Sequence, residues 1–462
     1  MNLTILQSVA KPKRVVLVDP GYPYGKQKVY MSGSLIGITA QLMAAGHEVD
    51  VVDFNIDRLN DSHAQELFSH ADYIGISLVG SPAIPQVARL LDQLSKTYPE
   101  AQMLLGGQVV GRLSSEQFKK IFGSDATQIS RDMDIAPFMG NIPSVYETSF
   151  IPVWERMGDT RLKNYISREF GLVLSQGCIY SCKFCSAQKG QKETFRNLDI
   201  FHADLLFLLR KAKQFGIEKM ECYASSLDFF QTPKSVFTYM EAMAEAQEET
   251  GVRLAVRCLA CMNTFLAASE QRKDFRELVQ RSGLWCIGFG VDGPTEETWK
   301  EQNKTQNSME DIEAAYNLAL CIGLRSEVLT VIGHPGDTPR RLLLTVKQFS
   351  RFMSRWPNAV LRPYVARTVL PGNDGWIEKP EIAEQLTRNP QLFYNLDICG
   401  LANSITHPNR WQRWLVNLAY IAVILRFAPF DRCATSPLLP QGESGFYGRI
   451  ARLVNRHMPF DR

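Results

Sequence analysis

Three cysteines fall within eight residues, in the segment Gly177-Cys-Ile-Tyr-Ser-Cys-Lys-Phe-Cys185, at the spacing C-x3-C-x2-C. Cysteine thiolates packed this closely are metal ligands or redox groups before they are packing residues. Three thiolates satisfy three irons of a [4Fe–4S] cube, whereas a cluster that only carries electrons ordinarily takes four. The fourth iron would then be open to a ligand from outside the chain. A zinc knuckle is the competing use, but structural zinc wants four ligands in two paired halves, and the nearest histidine, His202, lies well downstream. Buried, unliganded thiols are the third reading. The other cysteines (222, 258, 261, 286, 321, 399 and 433) are scattered and read as small buried hydrophobes, the Cys258-x2-Cys261 pair included.

A reactive loop needs elements to hold it. Apolar runs at Leu172–Ser175, Lys219–Tyr223, Leu254–Cys258, Trp285–Val291, Glu327–Gly333 and Val360–Tyr364 alternate with helix-compatible stretches, which predicts a partial (β/α)6 TIM-type barrel over 169–365. The cysteine loop directly follows the first of these strands, at the end where barrels gather reacting groups. Upstream, the runs Val15–Asp19, Val49–Asp53, Tyr73–Val79 and Met103–Gly106 alternate with helices near 34–45, 85–96 and 115–121. They predict a doubly wound (Rossmann/flavodoxin-like) α/β domain over 1–125. Residues 126–168 lose the rhythm and read as a connector. Residues 366–462, with Pro371, Gly372, Pro380 and Pro390, read as a mostly helical C-terminal extension that could lid the barrel mouth.

Bulk properties exclude several classes. At 462 residues, 45% hydrophobic and 21% charged, the chain is globular and large enough for two or three cores. A net charge of +3 gives no sign of a nucleic-acid partner. Ten cysteines are too sparse for a disulfide scaffold, and the first residues lack a signal-like apolar core, so a cytoplasmic setting is expected. The apolar stretch Trp414–Leu425, between Arg413 and Arg426, is too short to span a bilayer. It could pack on the protein's own body or, with the arginines at 432, 449, 452 and 456, make peripheral membrane contact through 413–426.

The C-x3-C-x2-C spacing with an aromatic, Phe184, before its third cysteine resembles the cluster motif of the radical S-adenosylmethionine (SAM) superfamily. Two further segments are similar to the family's later strands: Ile287-Gly-Phe-Gly-Val-Asp-Gly-Pro294 followed by Asn303-Lys304, and Thr330-Val-Ile-Gly-His-Pro-Gly-Asp337. The resemblance implies a cluster on Cys178, Cys182 and Cys185 whose open iron chelates SAM, and a 5′-deoxyadenosyl radical that abstracts a substrate hydrogen. It implies that Phe184 borders SAM, that Asp292 meets the ribose and that Gly333 runs along the adenine. Ser225 and Ser226 stand where many relatives carry a glycine-rich or acidic turn for the SAM amino group, and they lack a charge to match it. Arg257 would meet the SAM carboxylate, or else a structural carboxylate. His334 is either a substrate-facing acid or base or a satisfied turn residue. No catalytic side chain is assigned beyond these.

The upstream segments Asp19-Pro-Gly-Tyr-Pro23, Ser34 to Ala40, Ala45 to Asp53, Tyr73 to Ser77 and Leu105-Gly-Gly-Gln108 resemble the cobalamin-binding domain that precedes many radical SAM barrels. The resemblance implies that Asp19–Tyr22, Ser77–Ser81 and Gly106, Gly107 and Gln108 line a corrin face. The chain lacks both the Asp-x-His-x-x-Gly motif of a cobalt-ligating histidine and the Gly-Glu-rich segment of relatives. Together the resemblances imply cobalamin-dependent methyl transfer to an unactivated carbon of a specialised metabolite or lipid, with radical rearrangement or cyclisation as the alternative. The partners implied are a small-molecule substrate, a hydrophobic one if the apolar stretch Trp414–Leu425 serves it, and an external one-electron reductant of flavodoxin or ferredoxin type. A non-catalytic iron–sulfur carrier or redox sensor is the reading from another class.

Overall fold

The structure is a computed structural model that describes residues 11–21, 32–123, 125–129, 136–187, 189–293, 295–334, 336–367, 369–396, 401–405 and 407–427. Tyr22, Pro23, Pro294, Pro335, Cys399, Cys433, the arginines at 432, 449, 452 and 456, and part of the expected connector lie outside the described residues. The chain divides into two compact units, with the boundary between Asp159 and Thr160.

The first unit holds a five-stranded parallel sheet. Its strands are β1 (Arg14–Asp19), β2 (Glu48–Asp53), β3 (Tyr73–Ser77), β4 (Gln102–Gly106) and β5 (Ala126–Gln128). Their order, β2-β1-β3-β4-β5, is the flavodoxin-like one, which reverses direction between β1 and β3. The strands are near-continuous apolar runs because helices cover the sheet. Val15, Leu17, Val49 and Leu104 form one buried cluster with Leu35 and Leu42 of the helix Gly33–Ala44. Ser114 opens the helix Ser115–Phe122 with a reciprocal capping box to Gln117.

The described residues of the expected connector up to 157, 126–129 and 136–157, are built into this unit. β5 extends the sheet at its edge, and Met139 joins the buried cluster. His47 Nε2 donates to the Met139 carbonyl (2.9 Å), Gln41 Nε2 to that of Pro143 (2.6 Å), and Arg156 forks onto Asp50 with two 2.8 Å bonds. These are tertiary contacts, so the segment needs no hydrophobic period of its own.

The second unit is organised by a six-stranded, wholly parallel sheet. It begins with β6 (Phe170–Val173). A short antiparallel ribbon follows, β7 (Ser175–Gln176) against β8 (Thr194–Phe195), and it closes off the cysteine loop between its two arms. Then come β9 (Lys219–Ser225), β10 (Arg253–Ala260), β11 (Leu284–Gly290), β12 (Arg325–Ile332) and β13 (Ala359–Val365). The large strands pair in sequence order from β6 to β13, and β6 and β13 do not pair with each other. The sheet is thus open, with six parallel strands in sequence order.

Helices 198–214, 233–250, 262–271, 309–321 and 339–355 link the strands. A run of buried rings, Phe230, Phe265, Phe289, Tyr316 and Trp356, packs centroid to centroid at 4.7 to 5.4 Å and ties the helix layer to the sheet.

Of the C-terminal extension, helices 374–378, 380–388 and 410–427 are described. The last packs against β12, β13 and the helix 339–355, burying Val416, Tyr420, Val423 and Ile424. It therefore lies on the protein's own body. Trp411, Trp414, Leu418 and Leu425 remain exposed on its other side. Among the described residues no helix is long and apolar enough to cross a membrane.

Candidate functional site

The cysteine loop leaves the sheet through Gly177, whose φ of +108° excludes other residues. A Cβ there would sit 2.5 Å from the Lys192 carbonyl, so glycine lets the two arms of the loop touch. Backbone bonds from Gly190 to the Tyr180 carbonyl (3.0 Å) and from Gln191 to that of Cys178 (2.9 Å) hold the arms together. The loop is also anchored from outside. Gln231 accepts the Ile179 N–H (2.9 Å), Asn303 Nδ2 donates to the Ser181 carbonyl (2.9 Å), and Lys189 bridges the Cys182 carbonyl (3.1 Å) and Asp374 (2.6 Å).

Cys178, Cys182 and Cys185 are free and half-buried. Burial pushes the Cys178 thiol up to about 11 and raises that of Cys185, and each thiol feels the charge of its neighbours. Such thiols become thiolates only when a cation joins them. Sulfur is already a hydrogen-bond acceptor here: the Ala187 N–H points at Cys185 Sγ (3.4 Å) and Gln306 Nε2 at Cys182 Sγ (3.6 Å). Among the described residues no three His, Cys, Asp or Glu side chains converge tightly enough for a single ion. A cube takes one thiolate at each of three separate corners, a demand that three thiols on one short loop can meet.

The other expected residues fall out unequally. Phe184 is half-buried, with Lys304 Nζ 5.8 Å from its ring centre. Asp292 follows β11 in the left-handed region (φ +48°), and its Oδ2 is ion-paired to the buried Lys304. Gly290 makes room for this pair, since a Cβ there would come within 2.6 Å of Lys304 Nζ. Asp292 raises the Lys304 ammonium well above its ordinary range, outweighing the opposing effect of burial. Ser225 ends β9, half-buried, with its carbonyl accepting from Leu174 (3.4 Å).

Arg257 lies inside β10, which runs on to Ala260. Its guanidinium forks onto Glu169, which precedes β6, at 2.8 and 3.1 Å, reaches Glu327 at 3.5 Å and stacks on Tyr223. Glu327 in turn pairs with Arg362 at 2.8 Å. The structural-carboxylate alternative is the one realised. Gly333 (φ +82°) does permit a close approach, but of the C-terminal helix: a Cβ would lie 2.5 Å from Val416 Cγ1, and His407 Nε2 donates to the Gly333 carbonyl (2.7 Å). His334 is a satisfied turn residue, donating to the Asp292 carbonyl (2.7 Å) while its N–H meets Asp337 (2.9 Å).

Sequence reasoning missed two buried carboxylates beside the loop, Glu193 and Asp228. Asp228 is pushed up to about 6, mainly by burial, and accepts from the Cys261 N–H (3.0 Å) and Thr264 hydroxyl (2.9 Å). Nothing local marks them, since Lys-Glu-Thr and Leu-Asp-Phe read as ordinary loop residues.

In the first unit, Asp19 and Asp53 end adjacent strands in register. Burial, with Asp53 adding to it, lifts the Asp19 carboxyl to about 6, although the Gly21 N–H donates to it (2.9 Å). Ser77 and Gly106 are register partners on β3 and β4. Gly107 (φ +109°) lies so close to the Leu78 backbone that a Cβ would meet its carbonyl at 2.5 Å. The C-terminal ends of β1 and β3 flank the point where strand order reverses, which is where open α/β sheets bind ligands. Val79, Gly107 and Gln108 are exposed there.

No family model matches the chain. A bacteriochlorophyllide d C-12(1)-methyltransferase of Chlorobaculum tepidum is 22% identical over 226 residues, 46% of this chain and 46% of that protein. The match thus spans less than half of that relative's length. Among solved structures, the radical SAM methyltransferase TsrM from Kitasatospora setae, with cobalamin and a [4Fe–4S] cluster bound, superposes with a TM-score of 0.59 at 16% identity. The superposition covers 81% of this chain and 75% of that one. The cobalamin-dependent SAM radical enzyme OxsB with aqua-cobalamin gives 0.56 at 15% identity, covering 83% and 56%. The fold is therefore that of the cobalamin-dependent radical SAM enzymes, as the sequence resemblance implies.

Proposed function

We propose that the chain is a radical SAM enzyme that holds a [4Fe–4S] cluster on Cys178, Cys182 and Cys185 and uses cobalamin to methylate an unactivated carbon of a specialised metabolite or lipid. The observation that carries this reading is the donor set itself: three free, half-buried thiols on one short, glycine-gated loop at the barrel mouth. When bound, the reduced cluster supplies one electron to the SAM sulfonium and cobalamin carries the methyl group.

The protein's part is placement and exclusion of water. Gly177, Lys189 and Asn303 fix the loop, the N–H donors of Ala187 and Gln306 meet two of the sulfurs, and Phe184 and Asp292 lie beside them at the mouth. The strand-end surface of the first unit, from Asp19 through Ser77 to Gly106, Gly107 and Gln108, is the surface proposed for the corrin. An external one-electron reductant of flavodoxin or ferredoxin type completes the system. The exposed row Trp411, Trp414, Leu418 and Leu425 is the surface through which membrane contact of 413–426 would run, and vesicle flotation tests it.

The test is anaerobic reconstitution followed by dithionite and SAM. The expected result is about four irons per chain and release of 5′-deoxyadenosine. Alanine at any of the three cysteines should abolish both, and protein that takes up no iron would overturn the reading. Retention of added cobalamin through gel filtration tests the first unit separately.

A further inference from the structure

The turn Ala224-Ser225-Ser226 at the end of β9 carries no charge, yet a buried carboxylate stands directly behind it. Glu193 Oε1 accepts a short bond from the Ser175 hydroxyl (2.6 Å) and a long one from Ser226 (3.3 Å), while Oε2 accepts a short bond from Thr232 (2.9 Å) and a long one from Gln231 (3.4 Å). All four donors are uncharged. Each oxygen is thus oriented by one firm bond and keeps one weak bond that a better donor can replace. Asp228, on the same loop, is within electrostatic reach of Glu193 and Cys178. Its Oδ2 is buried and accepts from no N–H or O–H among the described residues, with only the Cys261 thiol against that carboxyl. Neither carboxylate has an ion-pair partner among the described residues, and a buried charge left so is costly until a positive group arrives.

We infer that Glu193, reinforced by Asp228, supplies the negative charge that the serine turn lacks and receives the α-amino group of SAM. This rests on the radical SAM reading above. The N–H bonds of that group take over the long contacts of Ser226 and Gln231, and the short bonds from Ser175 and Thr232 keep the carboxylate in place. Asp228 acts at a distance, making the pocket more negative for a ligand that also carries a sulfonium.

The experiment compares equilibrium binding of SAM and of its deamino analogue, in which hydrogen replaces the amino group, to cluster-loaded full-length protein. Glu193→Gln should weaken SAM on the order of tenfold or more, as expected for a lost hydrogen bond to a charged acceptor, and leave the analogue unchanged. Asp228→Asn should act in the same direction more weakly. A smaller loss for E193Q, or one shared by the two ligands, overturns the assignment, since a merely structural Glu193 would affect both alike. Should E193Q fail to take up iron, Glu193→Asp is read by the same comparison: a loss confined to SAM supports the inference and an equal loss rejects it. Wild-type protein that holds no cluster or binds no SAM defeats the functional reading instead.

Discussion

Val416, in the middle of the C-terminal helix, covers the α-carbon of Gly333 at the end of β12. The approach is so close that any side chain at 333 would put its Cβ 2.5 Å from Val416 Cγ1 and 2.8 Å from Cγ2. The strand end that the sequence offers to a ligand is thereby also the seat of a helix more than eighty residues later.

Gly333→Ala should therefore be destabilising on two counts. The left-handed backbone costs an alanine roughly 1–2 kcal/mol, and overpacking adds about 1–3 kcal/mol. Urea unfolding of the full chain should show the loss, and Val416→Ala in the same molecule should recover part of it, because the second change removes the atoms in the way. Equal losses from G333A with and without Val416 would show that the helix is not what the glycine accommodates.

His407 makes the same junction sensitive to pH. Burial, with Arg367, Arg413 and Lys379 nearby, lowers its imidazole from 6.5 to about 4, against the opposing bond to the Gly333 carbonyl. The unfolded chain takes up a proton below about pH 6.5 while the folded one resists until about 4, so stability falls as pH drops through that window. The full effect is about 3 kcal/mol. Denaturation midpoints measured from pH 7 to 4 should decline more steeply for wild type than for His407→Gln.

Much of this architecture is legible in the sequence because it is local. Each barrel strand announces itself as a short apolar run, and the cysteine loop is one contiguous motif between two such signals. Pairings that span the chain leave no local trace. Arg257 and Glu169 are 88 residues apart, and His407 and Gly333 are 74 apart. Nothing in the composition around either residue says which partner it will find. The connector was obscure for the same reason: β5 and the segment around Met139 take their structure from the first sheet and not from a period of their own.

Lys304 and Asp292 form a buried pair at the end of β11, with side chains only 7% and 12% exposed. Breaking such a pair strands a charge, so Lys304→Met should cost about 3–5 kcal/mol. The double variant Lys304→Met/Asp292→Asn removes both charges and should cost less than K304M alone. A chemical-denaturation cycle over the four proteins measures the coupling. No coupling would mean that Asp292 is held by something other than the lysine.

Arg257 separates a structural role from a ligand-binding one. The sequence leaves its guanidinium to the SAM carboxylate or to a structural one, and in the structure it pairs with Glu169 and Glu327 in the barrel interior. Glu169 precedes the first residue of β6, and Arg257 lies three residues short of the end of β10, so the network sits below the mouth where barrel chemistry takes place. Replacing it with glutamine takes a cation away from two acids, 9% and 3% exposed, of which Glu327 keeps its pair with Arg362. Arg257→Gln should accordingly lower stability by about 3 kcal/mol or more, while SAM affinity of the folded, cluster-loaded fraction stays within about twofold of wild type. A large loss of SAM affinity with unchanged stability would return the arginine to the ligand.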